Sequence, residues 1–271
     1  MNKKIKSAAA ALIKWVFLIG MASFALIPLL QVVLNSFRSD SEVKAMLIGF
    51  PKQATLENYV DAWTIGEYGI AYLNTLLVAG VVIVVVLTVV GLGAYALSKL
   101  EFKMKGFMTA YFFVAISLPP FLYGVPDYSL LNRLGLMIVY TAMQIPFNML
   151  LLKTFLMGIL RELEEAAKID GCSELDSFLK ITIPIAKPIF LTVALLVLVN
   201  VWNEYLWSNT FVSDDALKTV TTRFVRFTGQ YGSNMARIYT ASVITMAPIV
   251  ILYLLFSRKF IEGMTSGSVK G

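Results

Sequence analysis

The sequence predicts an all-α integral membrane protein with six transmembrane helices in a single domain, residues 1–271. Three observations carry this. Hydrophobic residues fill 58% of the 271 positions and charged residues only 15%, against about a quarter charged in soluble domains. Six apolar runs approach the roughly 20 residues that cross a bilayer core of about 30 Å. None alternates with a period of two as barrel strands do, so backbone groups in lipid must pair within helices.

The first span is placed at 13–35. Lys3, Lys4 and Lys6 precede it, but the apolar run from Trp15 to Leu34 is too long for a signal-peptide core. No small-x-small cleavage pattern follows before NSFRSD, so it is read as a retained span. The second, 70–97, contains LNTLLVAGVVIVVVLTVVGLGAYAL, apolar on every side, with Gly91 and Gly93 permitting close helix packing. The third and fourth, 106–127 and 134–158, are interrupted by Pro119, Pro120, Pro126 and Pro146, which suits a water-filled path. The fifth and sixth are 186–208 and 238–258. With the N-terminus inside, 15 of the 23 basic residues fall on inner segments and eight on outer ones, which predicts both termini in the cytoplasm. This topology accounts for the net charge of +6, and no nucleic-acid partner is expected.

The chain has no histidine and one cysteine, Cys172, read as packing or loop filler. No intrachain disulfide can form, the commonest metal ligand and general base is missing, and neither a metal site nor catalysis is expected. No phosphate-binding loop occurs either, because the terminal GMTSGSVKG lacks the second glycine at the required spacing.

Asn200, Asn203 and Glu204 lie near the outer end of the fifth span. Ionisable groups in spans usually face a cavity or a partner, while the neighbouring Trp202 and Trp207 also fit an interfacial belt. In the outer segment 209–237, Gly229 and Gly232 flank Gln230 and Tyr231. There Lys218, Arg223, Arg226 and Arg237 outnumber Asp214 and Asp215, which leaves an anionic ligand open beside ordinary loop charge.

Residues 159–185 form a charged island between the fourth and fifth spans. Leu156, Leu160, Leu163 and Ala167 recur on one helical face, with Arg161/Glu165 and Glu164/Lys168 as i,i+4 pairs opposite. Gly171 ends that helix, Ser173 and Asp176 cap the next, and Pro184 and Pro188 mark its bend into the fifth span. The pattern fits either a solvated tether or a docking helix gripped by another protein's groove.

The run E-A-A-x3-G-x9-I-x-I-P, carried by Glu165, Ala166, Ala167, Gly171, Ile181, Ile183 and Pro184, resembles the signature cytoplasmic loop of ATP-binding cassette importer permeases. AYALSKLEFKMKG, WNEYLW and EGMTSGSVKG are similar to the maltose-type sugar permeases, in particular their six-span subunit. The chain departs from the family at Leu160, where proline is frequent, which moves the expected helix start by up to a turn, and at Ser257, where glutamine is frequent.

The resemblance implies a type I importer permease fold with a coupling helix. Glu165, Ala166, Ala167, Asp170 and Gly171 would couple to the ATPase, and the tail Ser268, Val269, Lys270 and Gly271 would also contact it. Gln230, Tyr231 and Gly232 would meet the binding protein, and Asn200, Asn203, Glu204 and Tyr123 would line the pathway. Tyr123, Tyr128, Trp202 and Tyr205 offer flat faces for sugar rings, or belong to the belt. The implied partners are a homologous permease, two ATPase subunits carrying the ATP and Mg that this chain does not bind, an extracytoplasmic binding protein, a saccharide and membrane lipid. The implied location is the bacterial cytoplasmic membrane. The rival reading is a secondary transporter or channel that needs no ATP, which internal inverted repeats would favour.

Overall fold

The computed structural model describes the backbone of residues 2–118 and 132–265, and side chains within 11–118 and 132–257. Among the described residues the elements are all helical: α1 Asn2–Ser36, α2 Asp40–Ala45, α3 Glu57–Ile65, α4 Tyr68–Lys99, α5 Lys105–Ser117, α6 Arg133–Met157, α7 Arg161–Ile169, α8 Glu174–Ser177, α9 Ile183–Asn203, α10 Leu206–Phe211, α11 Val220–Gln230 and α12 Met235–Thr265. A π-helical turn, Phe178–Thr182, joins α8 to α9.

Five of these stretches are long and apolar enough to cross a membrane: Ala11–Ser36, Tyr68–Lys99, Arg133–Met157, Glu174–Asn203 and Met235–Ser257. They fall on the expected first, second, fourth, fifth and sixth spans. Of the third, α5 covers the start, and residues 119–131, with Pro119, Pro120, Tyr123, Pro126 and Tyr128, lie outside the described residues. Pro146 does not interrupt α6, which runs unbroken through it. One proline removes one rung of the ladder, and the rungs on either side hold the helix.

The chain forms two compact units. One comprises Met1–Tyr68 and Arg223–Ala247. Its centre is the end of α1, where Asn35, Ser36 and Arg38 are buried. Asn35 Nδ2 donates to Leu47 O at 2.9 Å, and Thr240 Oγ1 donates to Ser36 O at 3.0 Å. Asp61 holds Arg237 at 2.5 Å, Glu67 holds Arg223 at 2.6 Å, and Asp40 Oδ1 accepts from Met235 N at 2.7 Å.

The second unit comprises Gly69–Thr222 and Pro248–Gly271. Although α4 is apolar all round, it turns one line of valines fully inward, Val78, Val82, Val86 and Val90, four residues apart. That line packs with Tyr140, Met149 and Leu152 of α6 and Ile189, Val193 and Val197 of α9 in one core. Gly91 allows the approach, since a Cβ there would meet the Phe190 ring at 3.0 Å. Gly93 likewise faces Met149, so both glycines serve packing, as read from the sequence.

Candidate functional site: the helix-turn-helix between α6 and α9 and the polar seam

The segment between α6 and α9 folds as its residues dictate. Leu160 precedes α7, so the helix begins at Arg161. At its other end Gly171 adopts φ +83°, a left-handed geometry that glycine takes without a Cβ penalty. Cys172 N donates to Ala167 O at 2.9 Å and Gly171 N to Lys168 O at 3.1 Å, the paired bonds of a Schellman stop. Two residues later the next helix is fixed by a reciprocal cap: Asp176 N donates to Ser173 Oγ at 3.1 Å and Ser173 N to Asp176 Oδ2 at 3.4 Å.

The orientation of α7 differs from the periodicity reading. Its buried face carries Glu164 and Ala167, while Leu160 and Leu163 are exposed. The expected i,i+4 pairs are replaced: Glu164 Oε1 sits 3.1 Å from Lys99 Nζ, and Arg161 pairs with Glu101 at 3.2 Å. Lys168 pairs with Glu174 at 2.5 Å. The reason is electrostatic, because a lysine at the end of α4 needs a buried anion, and Glu164 supplies it by turning the helix inward.

Glu101 is held below its ordinary value of 4.5, first by its hydrogen bond to Lys105 and then by Arg161. Of the residues assigned to coupling, Ala167 is buried, whereas Glu165, Ala166, Asp170 and Gly171 are exposed together. Glu165 has no hydrogen-bond or ion-pair partner among the described residues, and Ile169 beside it is 87% exposed. The tail, Ser268 to Gly271, lies outside the described residues.

The fifth span ends sooner than 208. Helix α9 stops at Asn203, and the chain restarts as α10 after Glu204 and Tyr205. Glu204 causes the break: its carboxylate accepts from Trp207 N at 2.8 Å and Ser208 N at 3.1 Å, capping α10. It also accepts the hydroxyl of Tyr140. One turn below, Asn200 Nδ2 donates to Gln144 Oε1 at 3.0 Å, and Asn203 is exposed. Asn148 Nδ2 donates to Gln144 O at 2.7 Å, and its buried Oδ1 has no partner among the described residues.

The structure therefore brings Asn200 and Glu204 to a polar seam along α6 that sequence reasoning missed. The missed signal is the i, i+4, i+8 spacing of Tyr140, Gln144 and Asn148 in an apolar span. Tyr123 lies outside the described residues.

The segment 209–237 is largely helical, with a 3-10 turn at Asp215–Leu217 and α11. Gln230 and Gly232 are exposed, and Tyr231 packs its ring on Phe227 at 4.9 Å. Lys218, Arg223 and Arg237 are paired with Asp215, Glu67 and Asp61.

Residues 89–265 match the family described as "Binding-protein-dependent transport system inner membrane component". The chain is 32% identical to a probable ABC transporter permease protein, YurM, of Bacillus subtilis, over 95% of this chain and 88% of that one. It is 31% identical to the arabinooligosaccharides transport system permease protein AraQ of Halalkalibacterium halodurans, over 98% of this chain and 100% of that one. Among solved structures, a bacterial ABC transporter involved in import of the acidic polysaccharide alginate shares the fold, with a TM-score of 0.81 at 24% identity, covering 93% of this chain and 97% of that chain. With the signature loop, the apolar helices and these matches in agreement, the chain belongs to the binding-protein-dependent transport inner membrane family, the permeases of ABC importers.

Proposed function

We propose that this chain forms half of the translocation pathway of a saccharide importer, with six spans, both termini in the cytoplasm and the loop 159–185 as its coupling segment. A homologous permease supplies the other half, two ATPase subunits carry ATP and Mg, and an extracytoplasmic binding protein delivers the sugar. Transport runs by alternating access: closure of the ATPase dimer displaces the coupling helix and reopens the spans outward.

The observation that carries this reading is the exposed cluster Glu165, Ala166, Asp170 and Gly171 beside the bare Ile169, on a helix stopped by a rigid turn. A carboxylate with no partner among the described residues, next to exposed apolar surface, is what a partner's groove can grip. By resemblance, Ser268 to Gly271 also reach the ATPase, and Gln230, Tyr231 and Gly232 meet the binding protein.

The Gln144–Asn200 pair of the polar seam, with the exposed Asn203 three residues on, suits hydroxyl-bearing solutes, because side-chain amides both donate and accept. Three of the four outer cations already have carboxylate partners, so a neutral oligosaccharide is favoured over an anionic one. Relatives named for arabinooligosaccharides and for melibiose, raffinose and stachyose support this class. Purification through a tag on this chain tests the assembly: an ATPase should accompany it, and Glu165→Lys should release that ATPase or abolish its stimulation by loaded binding protein. Unchanged stimulation and uptake would reduce the segment to a tether. Calorimetry of the binding protein against neutral and uronic-acid oligosaccharides decides the substrate class.

A further inference from the structure

In sequence the coupling segment links α6 to α9, yet Arg161, Glu164 and Glu174 fasten it to the end of α4. Lys99 Nζ contacts Glu164 Oε1 at 3.1 Å and donates to Ile159 O at 2.8 Å. The two side chains are 4% and 7% exposed, so the pair is nearly sealed from water. Arg161 returns the grip, donating to Lys99 O at 3.3 Å and pairing with Glu101 at 3.2 Å. On the far side of the turn, Tyr95 OH donates to Glu174 Oε2 at 3.1 Å, and the Tyr95 ring lies 5.2 Å from that of Phe178. Thus the last turns of α4 hold α7 and the α8 region at two points about one helical turn apart.

A sealed ion pair resists separation because parting the charges leaves each one buried and uncompensated. A hydrogen bond to a surface carboxylate offers no such resistance. Of the two points, the Lys99–Glu164 pair is therefore the one able to transmit force, and α4 carries the line of enclosed valines at the centre of the core.

We infer that Lys99 and Glu164 form a mechanical clasp through which displacement of the coupling segment during ATP turnover is delivered to α4, in addition to the covalent route through α6 and α9. Both are positioning residues, and neither meets nucleotide or sugar. The inference rests on the coupling reading above and extends it to a third span.

The test uses the assembled importer, purified through this chain and placed in nanodiscs. Spin labels go at Phe102 and Leu175, both exposed, in a Cys172→Ser background. In the parent, the clasp predicts one narrow label distance both without nucleotide and after trapping with MgATP and vanadate. In Lys99→Met, a second, longer population should appear on trapping and not before it. The double exchange Lys99→Glu with Glu164→Lys should return the single distance, and it carries the test if Lys99→Met fails to assemble.

A single distance in both states of Lys99→Met would overturn the inference, since α4 would follow without the pair. Separation in both states would overturn it too, because the pair would then be a static strut. The coupling reading falls separately, if Glu165→Lys leaves ATPase binding and stimulation unchanged.

Discussion

Glu204 is a carboxylate set in the break just past the end of an apolar span. Its carboxylate takes two backbone N–H groups of α10 and the Tyr140 hydroxyl, so its charge is occupied by capping and does not stand free toward a solute. Glu204→Ala should cost about 1–2 kcal/mol through the lost cap. Glu204→Gln, which keeps a carbonyl acceptor, should cost less. Thermal unfolding of the purified complex measures both, and equal losses would mean that the charge itself, not the acceptor, is required. Gly171 fails by another route. At φ +83° a side chain meets no neighbour but strains the backbone, at about 1–2 kcal/mol for an ordinary L-residue and more for a β-branched one. Gly171→Val should therefore leave insertion intact while lowering ATPase co-purification more than Gly171→Ala does, and equal recovery of the two would contradict it.

At the scale of elements, the sequence was most legible where one physical rule acts alone. Five of the six span positions followed from apolar length, the stop at Gly171 from its missing Cβ, and the Ser173 cap from its partner three residues on. It was least legible where distant elements meet. The face of α7 was misassigned because Lys99, sixty-five positions before Glu164, decides which side is buried, and no local periodicity reports that. The end of α9 was misplaced because Glu204 looks like part of a continuous apolar run until its carboxylate is seen turned onto α10. Between α4 and α9 the contact at Gly91 is tight enough that Gly91→Leu should push the Phe190 ring aside, at about 1–3 kcal/mol. The midpoint of thermal unfolding checks it, and no loss would show that Phe190 can relax freely. In the link between α4 and α5, the lowered pKa of Glu101 gives a pH prediction. A carboxyl depressed by folding contributes above its ordinary value and loses that contribution only as pH falls through the lowered one. The Lys105–Glu101–Arg161 cluster should thus persist from neutral pH to about pH 5. Carbon-13 titration of the Glu101 carboxyl, assigned with Glu101→Gln, should give a midpoint below 4.5, and one above it would refute the arrangement.

For the whole molecule, both compact units are discontinuous in the chain, and the first draws Met1–Tyr68 together with Arg223–Ala247. Its closing contacts, Asp61 to Arg237, Glu67 to Arg223 and Ser36 to Thr240, all join early residues to late ones. During synthesis at about 5–20 residues per second, the early half waits on the order of ten to forty seconds for the late half to emerge. Through that interval α1 must reside in the bilayer without its final neighbours. Its composition permits this, because its exposed side chains from Leu12 to Leu30 are hydrocarbon in the main and sit in lipid without a protein partner. The burden falls instead on Asp61 and Glu67, which stay unpaired until translation is nearly complete, so a ribosome stalled before residue 223 should leave this early half open to protease while α1 is already inserted.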